Sequence, residues 1–163
     1  MFSLQYYDPP IPVSVEVDAS QKGLGAVFIQ QGKPVAYSSK TLTECQSRYS
    51  KIDREMLAIV HGVQQFHTYL YGHEFKIITD HKPLVTICSK PLHAALPCLQ
   101  RMVLMIQGYD YNIQHRSGKE LLLADALSRL PNPKNKAAIE LDIRVDEFTT
   151  AIINFSAKQQ KTV

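Results

Sequence analysis

The hydrophobic period of this chain switches from two to 3.6 and back in a set order, and that order constrains the fold more than any other feature. After Pro9-Pro10, Val13, Val15 and Val17 alternate with polar residues, which predicts a strand closing at Asp18. Gly23 and Gly25 are expected to form a tight turn into Ala26-Val27-Phe28-Ile29, and Gln31-Gly32-Lys33-Pro34 a second turn into Val35-Ala36-Tyr37-Ser38. Two hairpins in succession make three antiparallel strands. Met56, Ile59, Val60, Val63, Phe66, His67 and Leu70 then recur at helical spacing. The helix is opened by Ser50-Lys51-Ile52-Asp53, which resembles a capping box with Asp in place of Glu, and Gly72 is placed to stop it. Phe75 to Asp80 is a short apolar run reached through that helical crossover, so it is expected to lie parallel to the first strand.

The remainder extends the pattern. Pro83 is suited to start a short helix, and Leu99, Met102, Val103 and Ile106 define another from about Leu96 to Gln107. Tyr109, Tyr111 and Ile113 alternate as a fifth strand, Arg116-Ser117-Gly118-Lys119 turns, and Leu121 to Leu130 is rich in helix formers. The fold class is therefore α/β, with a mixed five-stranded sheet of three antiparallel strands followed by two parallel ones, flanked by helices. Pro131-Asn132-Pro133 interrupts the last helix. The boundary is placed there, with residues 1–130 as the domain and 131–163 as a linker or tail. In that tail Ile139, Leu141, Ile143 and Val145 alternate as a candidate strand, and the end from Lys158 is expected to fray.

Composition is compatible with one core and excludes several functions. A chain of 163 residues with 45% hydrophobic content suits a single domain plus a tail. The net charge is only +3; residues 1–130 hold 13 basic and 11 acidic side chains. Without the four acids singled out next, 13 oppose 7, a balance that suits a polyanionic ligand. Cys45, Cys88 and Cys98 form no C-x-x-C and the six histidines no H-x-x-x-H, which argues against zinc and for buried free thiols in a reducing compartment. No run approaches the ~18 apolar residues of a membrane span and the first residues lack signal-peptide character, so a soluble intracellular protein is expected.

Four acids stand where apolar elements begin or end: Asp18, Glu55, Asp80 and Asp125. Asp18 and Asp80 fall at the carboxyl ends of neighbouring parallel strands, the edge where open α/β sheets build their sites. Glu55 in the first turn of the long helix and Asp125 in the first turns of the last are positioned to point at the same edge. Singly, each has a local role: Asp18 in a turn, Asp80 as a cap, Glu55 at a helix dipole, Asp125 paired with Arg129 at i+4. Jointly they form a carboxylate cluster that persists by holding hard divalent cations through oxygen.

Val17-Asp18-Ala19-Ser20 with Gly23-Leu24-Gly25-Ala26-Val27, Tyr49-Ser50 before Glu55-Met56-Leu57-Ala58-Ile59-Val60, Thr79-Asp80-His81-Lys82-Pro83-Leu84, and Gly118-Lys119-Glu120 leading to Ala124-Asp125-Ala126-Leu127-Ser128-Arg129 resemble motifs of a known family. It is the ribonuclease H domain of retroelement polyproteins, above all of gypsy-class LTR retrotransposons. The resemblance runs from about residue 7 to 130 and implies an RNase H-like fold. It implies that Asp18, Glu55, Asp80 and Asp125 are both the catalytic and the metal-binding residues. Asp53 departs from the usual Glu, and Leu121 stands where an Asn is usual.

By the same resemblance the chemistry is hydrolysis of the RNA strand of an RNA/DNA hybrid. Two Mg²⁺ ions about 4 Å apart, replaceable by Mn²⁺, would share Asp18, activate a water and stabilise the leaving 3′-oxygen. His115 resembles the mobile histidine that assists proton transfer or product release in relatives, and is expected to act as a catalytic residue. Ser20, Gln21 and Ser50 are candidates for contacts to the minor groove and its 2′-hydroxyls. Expected partners are the polymerase and integrase domains of a parent polyprotein, and the expected location is a cytoplasmic retroelement particle. The alternative is a domesticated or decaying transposon fragment, weak in catalysis, that serves as a hybrid-binding or interaction module.

Other nucleic-acid chemistries fail on residues. An integrase core needs Glu about thirty-five positions after Asp80, where His115 stands, and an Asp-x-Glu exonuclease needs Glu at Ser20. Tyr109-Asp110-Tyr111-Asn112 lacks the paired Asp of a polymerase.

Overall fold

The computed structural model describes residues 4–90 and 97–129. Three strands come first: β1 (Val13–Ala19), β2 (Gly23–Gln30) and β3 (Lys33–Thr41). Two helices follow, α1 (Glu44–Ser47) and α2 (Lys51–Gln65), then the short α3 (His67–Leu70) and β4 (Glu74–Thr79). The chain continues through α4 (Lys82–Ser89), α5 (Pro97–Ile106), β5 (Asp110–His115) and α6 (Leu122–Arg129). The sheet order is β3-β2-β1-β4-β5. β1 is antiparallel to β2 and β2 to β3, whereas β1, β4 and β5 run parallel. The expected mixed sheet is therefore found, with β1 at its centre.

Strand alternation sends Val13, Val15 and Val17 to one face, where they join Phe28, Met56, Ile59, Val60, Val63, Phe75, Ile77, Leu99, Met102 and Ile106 in the core. That face is covered by α2, against which α5 packs. Asp18 belongs to the other face, and α6 lies there over β2, β1 and β3. This layering puts the first carboxylate under the last helix.

Several local expectations are corrected. Gly23 and Gly25 lie inside β2, and the turn before them is made by Ser20, whose Oγ accepts from the amides of Lys22 and Gly23 at 3.1 Å each. Gly25 serves packing instead: a Cβ there would stand 2.3 Å from the Ala124 carbonyl and 2.8 Å from the Ser128 amide. The second hairpin has a two-residue loop, Gln31-Gly32, both with positive φ (51° and 72°). That is the backbone twist that two-residue hairpins favour.

The long helix does not run unbroken to Leu70. It pauses at Phe66 (φ −101°, ψ 21°), which brings Phe66 and Tyr69 onto Phe28 at ring-centroid distances of 5.5 and 5.2 Å. His67, taken above as part of the apolar stripe, is consequently exposed. Gly72 follows with φ 81°, the conformation expected of a helix stop.

Ser50 caps α2, its Oγ accepting from the Asp53 amide at 3.3 Å, but the expected box is not formed: the Asp53 carboxylate accepts from the Ser50 hydroxyl at 2.5 Å, where a box would have it accept from the Ser50 amide. A full capping box occurs at a place not anticipated, Thr43 and Gln46 on α1. The cysteines are free, but Cys45 is exposed and Cys88 and Cys98 are only partly buried. No described helix is long and apolar enough to cross a membrane. The proposed boundary at Pro131 and the alternating Ile139 to Val145 segment lie outside the described residues.

Candidate active site

Asp18 sits on the penultimate residue of β1, Asp80 directly after β4, and Glu55 at the fifth residue of α2, one turn later than its expected place in the first turn. One carboxylate oxygen from each lies within 4.8 Å of the others. Three elements distant in sequence thus meet at the carboxyl edge of the parallel strands. Asp18 and Glu55 are buried, and Asp80 is half-buried.

Three carboxylates this close in a dry setting repel one another. Burial, then the charges of Asp18 and Asp80, push the Glu55 carboxyl up to about 8, although Lys51 and Arg54 pull the other way. Asp18 is also raised, chiefly by burial and further by Asp80 and Asp125, while a hydrogen bond from Ser128 opposes the shift. Glu55 Oε2 and Asp80 Oδ1 are buried without any hydrogen-bond partner. Unpartnered buried carboxylate oxygens are costly in isolation and are the donor set that a divalent cation prefers. The residues present therefore fit such an ion.

Asp125 stands apart from this trio. It is in the first turn of α6 as expected, but its Oδ1 accepts from Arg129 Nε at 2.8 Å. Its charge is still felt at Asp18. His115 ends β5, in register with Thr79, the residue before Asp80, and its side chain is exposed at the same edge. The proposed substrate contacts are spread out. Ser20 Oγ donates to the Ser128 carbonyl at 2.6 Å, Gln21 is exposed in the β1–β2 turn, and Ser50 is the cap of α2.

Sequence reasoning missed the roles of four residues. Ser128 Oγ, fully buried, donates to Asp18 Oδ2 at 2.7 Å. Glu16, also buried, accepts from Arg116 at 2.9 Å across the intervening strand β4, and the Arg116 amide donates to the Thr79 carbonyl at 3.0 Å. That pair ties the loop after β5 to the floor of the site. Gly118, in the 3₁₀ turn Gly118–Glu120, completes the loop: a Cβ there would come within 2.9 Å of Asp80 Oδ2. In the sequence Arg116 and Gly118 read only as parts of a turn and Ser128 only as part of the last family motif, and Glu16 carried no signal.

The family described as the RNase H-like domain found in reverse transcriptase matches residues 8–109, a stretch that contains Asp18, Glu55 and Asp80. The chain belongs to this family. It is 35% identical over 141 residues to the retrovirus-related Pol polyprotein from transposon 297 and 36% identical over 128 residues to that from transposon gypsy, both of Drosophila melanogaster. These matches cover 86% and 77% of this chain but 13% and 12% of the polyproteins, so the chain spans about an eighth of the length of those curated relatives.

Among solved structures, RNase H1 from the archaeon Halobacterium salinarum superposes with a TM-score of 0.55 at 17% identity, covering 71% of this chain and 93% of that one. A foamy viral protease-reverse transcriptase in complex with RNA/DNA hybrid superposes with a TM-score of 0.59 at 17% identity, covering 82% of this chain and 18% of the other. At such identities the likeness shows the RNase H fold. Family and fold agree: the chain is an RNase H-like domain of the kind found in reverse transcriptase.

Proposed function

We propose that this chain is a divalent-metal-dependent endonuclease that hydrolyses the RNA strand of RNA/DNA hybrids, as the ribonuclease H part of a retrotransposon reverse transcriptase. The observation that carries the reading is the trio Asp18, Glu55 and Asp80, with one oxygen of each within 4.8 Å of the others, together with the buried, unpartnered Glu55 Oε2 and Asp80 Oδ1. Asp18, Glu55 and Asp80 would hold the metal, with Asp125 joining from the rim. Bound Mg²⁺ or Mn²⁺, in two sites by the family resemblance, supplies Lewis-acid activation of a water and charge stabilisation at the phosphate. Glu55 binds as carboxylate, so its elevated pKa makes loading a proton-releasing event. His115, exposed beside the trio, is suited to carry a proton between the site and solvent.

The minor groove of a hybrid, with its row of 2′-hydroxyls, would run along the edge formed by the β1–β2 turn and the start of α2. Gln21 is the exposed candidate there; Ser20 and Ser50 would line the same edge, but their hydroxyls are given to the Ser128 carbonyl and the Asp53 carboxylate and would have to be released to meet the hybrid. The relatives are Pol polyproteins. Covalent partners are accordingly a polymerase domain and an integrase domain, in an intracellular retroelement particle, with residues 1–130 as the folded unit and 131–163 as the connection.

The Asp125–Arg129 ion pair favours a second reading, in which the fourth carboxylate is withheld and the domain binds hybrids with little turnover. One assay separates them. Wild type should cleave RNA paired to DNA in Mg²⁺ or Mn²⁺ and spare DNA duplex and free RNA, while Asp80→Asn should be inactive and still folded. Hybrid binding without cleavage by wild type selects the second reading, and equal cleavage by both proteins removes the first.

A further inference from the structure

Helix α6 is fastened to the sheet by three serine hydroxyls. Ser39 Oγ on β3 donates to the Leu127 carbonyl at 2.7 Å, and Ser20 Oγ, just past β1, donates to the Ser128 carbonyl at 2.6 Å. The third runs the other way: Ser128 Oγ donates from the helix to Asp18 Oδ2 at 2.7 Å. The first two end on backbone and serve docking. The third ends on a metal-ligand candidate.

Ser128 is 0% exposed, and its hydroxyl has two acceptors in reach, Asp18 Oδ2 at 2.7 Å and the Asp125 carbonyl one turn back at 2.8 Å. It has one proton to give, and a carboxylate is the stronger acceptor. The approach depends on Gly25, which pairs with Asp18 across β1 and β2 and whose missing side chain admits the helix backbone. Asp125, three residues earlier on the same helix, moves with Ser128.

We infer that Ser128 is a positioning residue of the metal site: it fixes the Asp18 carboxylate in one rotamer and locks the helix carrying Asp125 to it. The inference rests on the metal-dependent reading above. A carboxylate free to rotate would lose the fixed geometry that a small divalent ion demands. The role is second in line, since Ser128 itself would touch neither metal nor hybrid.

The test compares Ser128→Ala with Ser39→Ala, which removes a docking bond to the same helix turn and leaves Asp18 alone. Mg²⁺ binding is read by titration calorimetry and, independently, by Mn²⁺ electron paramagnetic resonance, alongside thermal melting and the Mg²⁺ dependence of hybrid cleavage. Ser128→Ala is expected to weaken Mg²⁺ about tenfold or more and to raise the Mg²⁺ concentration for half-maximal rate, with a melting loss no larger than that of Ser39→Ala. Wild-type affinity in Ser128→Ala overturns the inference. So does an equal loss in Ser39→Ala, which would make docking alone responsible. Should Ser128→Ala fail to fold, Ser128→Cys, which keeps only a weak donor, is expected to bind Mg²⁺ more weakly than wild type; wild-type affinity there overturns the inference equally. Absence of Mg²⁺ binding by the wild type would instead bring down the functional reading itself.

Discussion

Replacing Glu55 by Gln removes the charge whose burial the site resists most, and the consequences follow from one shifted equilibrium. The ordinary carboxyl value of 4.5 is pushed up to about 8 in the folded protein. Between those values the folded state retains a proton that the unfolded state has released, so stability falls as pH rises through the window. At pH 7 about 2.5 pH units of the window have been crossed, each worth about 1.4 kcal/mol, so wild type is destabilised by about 3 kcal/mol relative to pH 4.5. A glutamine does not titrate, and its amide offers donors to the carboxylates of Asp18 and Asp80.

In chelator, Glu55→Gln should therefore be more stable than wild type by about 3 kcal/mol at pH 7, with the gap closing towards pH 4.5. Magnesium should reverse the order, because it binds the ionised carboxylate and stabilises only the wild type. The assay is denaturant unfolding at pH 5, 6, 7 and 8, with chelator and with millimolar Mg²⁺. Parallel pH profiles for the two proteins in chelator would refute the argument, since Glu55 would then carry no buried proton. Asp18, raised in the same direction, leaves a smaller slope in the variant.

Three further outcomes are expected. His115→Ala should slow hybrid cleavage about 10- to 100-fold with unchanged Mg²⁺ affinity by calorimetry, because a proton carrier contributes less than the ligands. Gly118→Ala should weaken Mg²⁺ binding and cut the rate with little change in melting, since its new methyl would meet Asp80 Oδ2 at 2.9 Å on an exposed loop; unchanged Mg²⁺ affinity would mean that Asp80 has room to move. Truncation after Lys136 should cost less than ~2 kcal/mol and retain cleavage; a larger loss by thermal melting would relocate the domain boundary.

The sequence alone determined the order of the five strands and the longer helices and the identity of the acids, because both are written in local terms. Alternation at Val13, Val15 and Val17, helical spacing from Met56 to Val63 and an apolar run ending at Asp80 are patterns of neighbours, and they sufficed for the topology of β1 to β4. Family motifs named Asp18, Glu55, Asp80 and Asp125. What those motifs did not contain was distance. Only the tertiary structure decided that three of the four meet within 4.8 Å, while Asp125 keeps the i+4 pair with Arg129 that its local sequence offers.

The partners of the trio were equally hidden from a local reading. Ser128 and Asp18 are 110 positions apart, and Arg116 and Glu16 are 100 apart. A serine in a helix or a glutamate in a strand carries no mark of the group it will face. Gly25 is the plainest case: its sequence context suggests a turn, but its role is steric, set by the backbone of a helix that arrives about a hundred residues later. Periodicity determines which face a side chain takes, whereas the neighbour across that face is decided by how the layers pack.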